Sequence, residues 1–343
     1  MTLINEFLRC PSPLLDVRSP SEFIQGHIPG AISFPLFTDC ERAQIGTVYK
    51  QQGKDAAVKL GLHFVGPKLS SYIERAENLA PLQKHLRLYC SRGGMRSSSL
   101  AWLLQTAGFC TTLLIGGYKK YRRWTLDQFR KNYSFIVLGG LTGSGKTELL
   151  QVLENSGEQI IDLEKLAEHK GSSFGHLGNP QQPSTEHFEN LLAYQLSTRN
   201  IDQQIWIEDE SRMIGNCYLP SDLWKQMSQS FTLCIECTRE ERISRLVKTY
   251  GIHAREELVQ STHRLMKKLG AVRTKQAIQY ILNNELEKAV SIVLEYYDQT
   301  YAHSCERCER RFSDSFSISD PGLIDLLKNK SREVVKKSLI ERD

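Results

Sequence analysis

The sequence predicts an α/β protein with two parallel-sheet domains, the second followed by a helical extension. Three observations support this prediction. Short apolar runs alternate with helical segments from Leu14 to Gly117, and the alternation resumes after residue 135. A cysteine and a glycine-rich phosphate loop each follow a predicted strand, and the sites of parallel sheets lie at the carboxyl ends of strands. Between Glu256 and Tyr297 the apolar residues recur at helical spacing.

Length and composition place the chain among ordinary globular proteins. It has 343 residues, 40% of them hydrophobic and 24% charged, with a formal net charge of +5. This length suffices for two or three domains, and the mild positive excess is compatible with a polyanionic partner without proving one. No apolar run reaches membrane-spanning length, and the first ten residues lack a signal-peptide core. Because nine scattered cysteines fit a reducing compartment, we expect a cytoplasmic protein without membrane association.

The first domain is predicted over residues 1–118. The run 14–18 predicts a buried strand, and Ser19, Pro20 and Glu22 are typical of a helix start. A turn follows at Gly26–Ala31. Further strand-like runs occur at residues 32–36, 86–89 and 112–115. Alternation of this kind predicts a parallel sheet with its site at the strand ends.

The segment 88–97 contains the first candidate site. An apolar strand leads to Cys90, and the loop that follows contains a pair of glycines and opens a helix. Inward-pointing N–H groups and the positive end of a helix form an anion cradle. Between Arg92 and Arg96, Cys90 is expected to be stabilised as the thiolate, its nucleophilic form. We therefore predict these three residues as catalytic.

Four segments of this domain together resemble the rhodanese family: Asp16-Val17-Arg18, Gly26-His27-Ile28-Pro29-Gly30-Ala31, the Cys90 loop and Gly116-Gly117-Tyr118. The resemblance implies a rhodanese-like parallel α/β fold. We interpret Asp16, Arg18 and His27 as structural contacts near the site rather than as catalytic groups.

Five residues separate Cys90 from Arg96, the loop length of rhodanese-like phosphatases, whereas simple sulfurtransferases of this fold usually have a shorter loop. The longer loop leaves room for a tetrahedral oxyanion, to which Arg96 can present a planar fork. Two reactions therefore stay open. One is chalcogen transfer from a phosphorylated donor, and the other is phosphate-ester hydrolysis through a cysteinyl-phosphate.

Residues 119–134 interleave aromatic and basic side chains and predict a linker between the domains. Basic groups can follow a nucleic-acid backbone while aromatic rings stack on bases. A helix whose aromatic residues face a neighbouring domain accounts for the pattern equally well. The candidate RNA-binding residues here and in the later helical segment are Lys119, Lys120, Arg122, Arg123, Arg264, Lys267 and Lys268.

A complete phosphate loop opens the second domain, predicted over residues 135–250. The apolar strand 135–138 runs into Gly140-Leu141-Thr142-Gly143-Ser144-Gly145-Lys146-Thr147, and a helical run follows. Lys146 would reach the terminal phosphates, and Thr147 would ligate Mg²⁺ if the ion is used. Backbone N–H groups would surround the oxygens. The predicted phosphate-binding residues of the loop are Gly140, Gly143, Ser144, Gly145, Lys146 and Thr147. Such a loop reads a diphosphate or triphosphate, not necessarily a nucleotide.

Acidic residues follow two later strands of this domain. Asp162 ends one strand, and the strand 205–207 runs into three consecutive carboxylates, of which one or two can face the phosphate loop. We predict Asp162, Glu208 and Asp209 as acids that position a metal ion or water.

Three arginines recur at helical spacing after the strand 231–237. Arg239, Arg242 and Arg245 could hold phosphate oxygens, and we predict the first two as phosphate ligands. An ordinary solvated helix face is the alternative.

Two Cys-x-x-Cys pairs do not predict a four-cysteine zinc site. Cys234 and Cys237 lie in a predicted strand, where residues three apart point to opposite faces. The role of Cys305 and Cys308 stays open. We predict no resident metal ligand set, and residues 251–343 are expected to form a helical extension.

Because it contains both loops, the chain resembles the tRNA 2-selenouridine synthase family. The segments that carry the resemblance are 89–97, 140–147, 162–164, 169–175, Glu208-Asp209-Glu210-Ser211 and Tyr296-Tyr297-Asp298. The resemblance implies a transferase that modifies the wobble uridine of tRNAs that carry 2-thiouridine. In this family the sulfur is first alkylated by geranyl diphosphate. Selenium from selenophosphate then displaces the S-geranyl group, with Cys90 expected to carry the selenium.

The resemblance also sets the expected ligands and partners. Geranyl diphosphate and selenophosphate are co-substrates, no cofactor is expected to be tightly bound, and Mg²⁺ is the candidate ion at the phosphate loop. The expected partners are tRNA and an enzyme that produces selenophosphate. The alternative is a Cys-dependent rhodanese-like phosphatase or sulfurtransferase fused to a small-molecule P-loop kinase.

Overall fold

The computed structural model describes residues 4–178, 181–307 and 311–340, and within them the side chains outside 302–313 and 334–340. The chain divides into two compact units. Unit 1 comprises Met1–Gln128 and Glu189–Tyr194, and unit 2 comprises Phe129–Phe188 and Gln195–Asp343. Within the described ranges, no helix has the length and apolar character needed to cross a membrane.

Unit 1 contains a four-stranded parallel sheet in the order β2-β1-β3-β4, which confirms the predicted α/β class. Its elements are α1 (Ile4–Arg9), β1 (Leu14–Asp16), α2 (Pro20–Gln25), β2 (Ala31–Ser33), α3 (Asp39–Gln52), α4 (Lys54–Val65), a 3₁₀ turn (Gly66–Lys68), α5 (Leu69–Leu79), β3 (His85–Tyr89), α6 (Met95–Thr106), β4 (Cys110–Leu113) and α7 (Gly117–Phe129).

Strand β3 is buried on both faces and delivers Cys90 to the site. Leu88 and Cys90 join one apolar cluster with Leu100 of α6, whereas Tyr89 joins a second cluster with Tyr118. This division follows from the strand geometry, because successive side chains point to opposite faces of a sheet. Leu86, Leu88 and Tyr89 are fully buried, as expected for a parallel strand covered on both faces.

The predicted linker 119–134 is instead mostly helix α7, and the division between units falls after Gln128. Tyr118 and Tyr121 are buried, with ring centroids 6.0 Å apart, and Trp124 stacks next in the series. Residues three apart share one face of a helix. Tyr118, Tyr121 and Trp124 therefore pack together in unit 1, and Phe129 and Tyr133 belong to unit 2. Lys119, Lys120 and Arg123 are exposed.

The rest of the chain forms a five-stranded parallel sheet in the order β11-β10-β5-β7-β6 and a two-stranded antiparallel hairpin, β8-β9. Its elements are β5 (Ser134–Gly139), α8 (Lys146–Asn155), β6 (Gln159–Ile161), α9 (Leu163–Ala167), α10 (Thr185–Ser197), β7 (Gln204–Glu208), β8 (Met213–Ile214), β9 (Cys217–Tyr218), α11 (Ser221–Gln229), β10 (Phe231–Glu236), α12 (Arg239–Tyr250), α13 (Arg255–Arg264), α14 (Met266–Leu269), α15 (Ala271–Leu282), α16 (Leu286–Arg307), β11 (Arg311–Ser317) and α17 (Leu323–Ile340).

The predicted helical extension also supplies an edge strand. Helices α13 to α16 follow the predicted helical pattern, but β11 then pairs in parallel with β10. The central strands β5 and β7 bury Ile136, Leu138 and Trp206 in one cluster with Leu150 of α8 and Leu327 of α17. The final segments thus complete the sheet of unit 2 rather than forming an appendage.

Candidate functional site

Cys90 lies directly after β3, at the carboxyl end of the strand, inside a ring of hydrogen-bond donors. The N–H group of Gly94 donates to its Sγ at 3.3 Å, and the Ser97 hydroxyl donates at 3.2 Å. The residue is only 3% exposed. The backbone of the loop therefore points towards the sulfur, as the glycine pair and the helix start predict.

The surroundings of Cys90 favour its thiolate. Burial raises the pKa of the thiol, but hydrogen bonds from the Ser97 hydroxyl and from the backbone N–H groups of Arg92, Ser97 and Gly94 outweigh it, so the net pKa lies below the usual value. The thiolate is the reactive form of cysteine. Its stabilisation comes from Ser97 and the backbone, not from the two flanking guanidinium groups, and sequence-based prediction did not include Ser97.

Arg96 lies in a polar network beside the loop. Its guanidinium donates to Glu22 at 2.7 Å and to the Ser91 hydroxyl at 2.7 Å, and that hydroxyl donates to Glu22 at 2.8 Å. Burial raises the pKa of Glu22. The hydrogen bond and the charge of Arg96, together with further hydrogen bonds, outweigh burial and lower this pKa to about 2. Glu22 is therefore ionised and holds Arg96 in one orientation, whereas Arg92 is exposed.

Helix α7 fixes the cysteine loop from outside. The N–H groups of Tyr118 and Lys119 donate to the carbonyls of Cys90 and Ser91, each at 2.9 Å. With these carbonyls bound outward, the loop N–H groups are left to face the sulfur. Gly117 permits this approach, because a Cβ there would lie 2.3 Å from the Cys90 carbonyl oxygen.

Asp16 and Arg18 form a buried ion pair beneath the loop. Arg18 donates to Asp16 at 2.6 Å, and its guanidinium lies 3.7 Å from the centroid of the Tyr118 ring. Tyr89 also donates to Asp16, at 2.7 Å. His27 stacks on the nearby Phe23 ring, with centroids 3.7 Å apart. These contacts agree with a structural role for Asp16, Arg18 and His27.

The phosphate loop of unit 2 connects β5 to α8. Gly143 and Gly145 adopt φ values of 82° and 92°, which residues other than glycine rarely adopt. Lys146 donates to the Gly140 carbonyl at 2.8 Å, so its ammonium group lies over the loop. The Ser144 hydroxyl is buried without a hydrogen-bond partner among the described residues.

Two arginines of α12 support this loop from behind. Arg242 donates to the Thr142 carbonyl at 2.9 Å and pairs with Asp298 at 2.6 Å. Arg245 donates to the Gly143 carbonyl at 2.7 Å. Arg239, predicted as a phosphate ligand, instead donates to Ser291 and Glu295 on α16. The arginines therefore orient the loop carbonyls, and Arg245 is the member that the predicted site left out.

Three carboxylates converge next to the phosphate loop. Oxygen atoms of Glu164, Glu208 and Glu210 lie within 4.8 Å of one another, and Thr147 donates to Glu164 at 3.2 Å. Burial and the neighbouring carboxylates raise the pKa of Glu164 to about 8 against the opposing charge of Lys146. Burial likewise raises the pKa of Glu210 to about 7 and that of Glu208 well above its usual value. Clustered oxygen donors of this kind suit a divalent cation.

Only one of the three predicted acids belongs to that cluster. Glu208 is a member, but Asp162 caps α9 by accepting the N–H of Lys165 at 2.8 Å. Asp209 accepts the Tyr301 hydroxyl at 3.0 Å. Glu210 stands in the run of three carboxylates and Glu164 lies two residues after Asp162, so the right segments were identified but two of the members were not.

A small apolar cavity, partly open to solvent, lies beside the phosphate loop. Thr142 of the loop lines it, together with side chains from α12, α13, α15 and α16. Its apolar wall includes Leu246, Leu258, Ile281, Leu286, Ala289 and Leu294.

The candidate RNA-binding residues fall into two classes. Arg122 forms an ion pair with Glu189, and Arg264 donates to a ring nitrogen of His176 at 3.0 Å. The remaining candidates, like Arg264, are exposed: Lys119, Lys120, Arg123, Lys267 and Lys268.

Cys308 and the side chain of Cys305 lie outside the described residues. In the other pair, Cys234 is in β10 and Cys237 follows the strand. The Cys237 thiol lies 3.3 Å from a carboxylate oxygen of Glu241.

Both parts of the chain match known protein families. Residues 133–333 match the family described as the tRNA 2-selenouridine synthase AAA domain, and residues 3–123 match the rhodanese-like domain family. A tRNA 2-selenouridine synthase from Bordetella petrii is 35% identical, covering 87% of this chain and 88% of its own. One from Pseudomonas savastanoi is 34% identical over 93% and 95%, and one from Nitrosomonas europaea is 33% identical over 92% and 94%. The chain therefore belongs to the tRNA 2-selenouridine synthase family of tRNA-modifying transferases.

Proposed function

We propose that this enzyme exchanges the sulfur of 2-thiouridine at the tRNA wobble position for selenium through an S-geranyl intermediate. Geranyl diphosphate and selenophosphate are the two co-substrates. The observation that carries the proposal is the buried Cys90, which Ser97 and the backbone of a phosphoryl-sized loop stabilise as the thiolate. A second phosphate cradle in the same chain provides for the second phosphorylated substrate.

The phosphate loop serves the first step. The sulfur of 2-thiouridine attacks the first carbon of the geranyl chain, so that a C–S bond forms and the C–O bond to diphosphate breaks. Diphosphate leaves, and the base loses its N3 proton to solvent. Lys146 and the loop N–H groups stabilise the charge that develops on the leaving group.

Mg²⁺ fits the acidic cluster beside this loop. Glu164, Glu208 and Glu210 would hold the ion together with the Thr147 hydroxyl, whose present partner is Glu164. Bound there, the ion supplies positive charge next to the diphosphate. The raised pKa values of these carboxyl groups reflect the burial of several acids in one place, a situation that a cation relieves.

Cys90 serves the second step. Its thiolate attacks the phosphorus of selenophosphate, an S–P bond forms, the P–Se bond breaks, and selenide is released. Selenide attacks C2 of the S-geranyl base, a C–Se bond forms, the C–S bond breaks, and geranyl thiol leaves with a proton from solvent. Water then hydrolyses the S–P bond and restores the thiolate. The sequence is redox-neutral, whereas selenium carried on Cys90 as an S–Se adduct would need a thiol reductant to be released.

Two variants separate the steps. Cys90→Ser should abolish selenation and leave geranylation intact, because only the second step uses the thiolate. Lys146→Ala should slow geranyl transfer by about a hundredfold, since removing one donor to a developing charge has effects of that order. Nucleoside mass spectrometry of 2-thiouridine tRNA incubated with both co-substrates measures each product. Full selenouridine formation by Cys90→Ser, or wild-type geranylation by Lys146→Ala, would overturn these roles.

Mass spectrometry of the protein, quenched after addition of selenophosphate, distinguishes a phosphoryl adduct from a selenium adduct on Cys90. The phosphatase–kinase alternative makes a different prediction. Such an enzyme would act on small molecules and should not retain thiolated tRNA during purification.

The exposed cations define the proposed tRNA contacts. Lys119, Lys120 and Arg123 on α7, and Lys267 and Lys268 on α14, present positive charge to a phosphate backbone. The proposed source of selenophosphate is a separate enzyme that produces it.

A further inference from the structure

We propose that the apolar cavity of unit 2 binds the hydrocarbon chain of the prenyl diphosphate. The inference rests on the proposed function of the phosphate loop and assigns the part of the substrate that the loop cannot hold. Thr142 is shared by the two features, because it is a residue of the phosphate loop and also lines the cavity. A diphosphate in the loop would therefore place its chain at the cavity entrance.

Helices α12 and α16 connect the phosphate loop to the far end of the cavity. Near the loop, Arg242 of α12 pairs with Asp298 of α16 at 2.6 Å while donating to Thr142. At the other end, a Cβ placed on Gly251 would lie 3.2 Å from the side chain of Leu286. The cavity residues of these two helices lie between those contacts, so the cavity leads away from the loop.

The chemistry of the wall selects an apolar guest. Of its polar side chains, Ser172 and Tyr250 lie within hydrogen-bond distance of each other at 3.2 Å, and Tyr297 accepts the N–H of Ser173 at 2.8 Å. A nucleoside base and ribose buried here would leave donors and acceptors unpaired, at a cost that a hydrocarbon does not incur. Burial of isoprene units instead gains hydrophobic free energy in proportion to the area removed from water.

The length of the cavity suits a prenyl chain. From Tyr297 to Leu286, α16 advances roughly 16 Å at about 1.5 Å per residue. A geranyl main chain spans roughly 9 Å and a farnesyl main chain roughly 14 Å, with C–C bonds of about 1.5 Å. The wall is therefore long enough to contact either chain. Ala289 is 4% exposed and lies one turn from Leu286, where a larger side chain would fill the path.

Two substitutions in the cavity wall test the assignment. Leu286→Ala removes apolar contact at the far end of the cavity and should lower transfer from geranyl and farnesyl diphosphates relative to dimethylallyl diphosphate by about tenfold, the scale of discrimination for a few methylenes. Ala289→Phe should lower transfer from geranyl diphosphate by a similar factor and spare dimethylallyl diphosphate. Glu287→Ala, on the exposed side of the same helical turn, is the matched control and should keep the wild-type preference.

Each variant is incubated with 2-thiouridine tRNA and one of the three diphosphates, and the S-prenyl nucleosides are quantified by mass spectrometry. Thermal unfolding with and without each diphosphate checks folding and reports binding without tRNA. Ala289→Val, a smaller change, replaces Ala289→Phe if the latter does not fold. Wild-type preference in folded Leu286→Ala and in the folded Ala289 variant would overturn the cavity assignment alone. Absence of transfer from every diphosphate by the wild-type protein would overturn the proposed function itself.

Discussion

Ser97→Ala tests how the cysteine loop activates its sulfur. The Ser97 hydroxyl lies 3.2 Å from Sγ of Cys90 and is 1% exposed, so alanine removes a buried donor with little change of shape. A hydrogen bond to a charged acceptor contributes about 1.5–3 kcal/mol. Because the same hydroxyl also reaches the Gly94 carbonyl, at 3.1 Å, we take the lower value. About 1.5 kcal/mol corresponds to a roughly tenfold smaller thiolate population at any pH below the pKa.

The observable rate change is smaller and reverses with pH. A more basic thiolate is intrinsically more nucleophilic, with a Brønsted coefficient of about 0.4–0.5. This greater nucleophilicity raises the rate by roughly threefold and offsets part of the loss of thiolate. Exchange of Cys90 with a small disulfide should therefore be about threefold slower than wild type at pH values below the pKa of Cys90 in both proteins. At alkaline pH, where both proteins are fully ionised, the variant should be about threefold faster.

Peptide-level mass spectrometry resolves Cys90 from the exposed Cys40 and Cys110 in this assay. Ser98→Ala is the matched control, since the Ser98 hydroxyl bonds the Gly94 carbonyl at 3.3 Å rather than the sulfur. Superimposable pH–rate profiles for wild type and Ser97→Ala would refute the assignment of Ser97 as a thiolate donor.

Three further predictions concern groups around the two loops. Because the pKa values of Glu164 and Glu210 are raised to about 8 and about 7, Mg²⁺ must displace protons, so its affinity should fall as pH drops from 8 to 6; calorimetry in buffers of different ionisation enthalpy measures this proton release. Gly117→Ala should destabilise unit 1 by about 1–3 kcal/mol more than Gly108→Ala in urea titrations, since both glycines have positive φ but only the Cβ at 117 meets backbone atoms. Equal losses would contradict the close approach. Glu22→Gln should slow selenation about tenfold, which is about 1.4 kcal/mol, and leave geranylation unchanged, because its arginine partner loses its orientation; equal slowing of both reactions would argue against a role confined to the cysteine loop.

Both loops could be predicted because their function resides in contiguous residues. The cradle around Cys90 is specified by a strand, a glycine-containing turn and a helix start. The same order of elements specifies the loop that ends at Thr147. The partners brought in from elsewhere in the chain could not be predicted in this way. Glu22 reaches the cysteine loop across 69 residues of sequence, and only the packing of α2 against that loop brings it there.

Helical spacing indicates which face of α12 the arginines occupy but not which atoms they bond. Arg242 and Arg245 do face the phosphate loop, yet they bond its carbonyls instead of pointing at the phosphate position. A basic residue near an anion site can act by orienting the backbone, and spacing alone does not separate the two roles. Strand β11 was missed for a related reason, because its alternating serines and phenylalanines lack a continuous apolar run and its pairing with β10 is set by the sheet.

The two bonds from α7 to the cysteine loop have a consequence for selectivity. They hold the donor ring ready before any ligand arrives, so binding an anion needs no ordering of the loop. The same packing leaves Cys90 only 3% exposed, which screens its sulfur from bulky electrophiles and oxidants. The loop therefore restricts access to its own nucleophile by size. In the proposed mechanism a small selenium-bearing anion reaches the sulfur, and the tRNA base does not have to approach it.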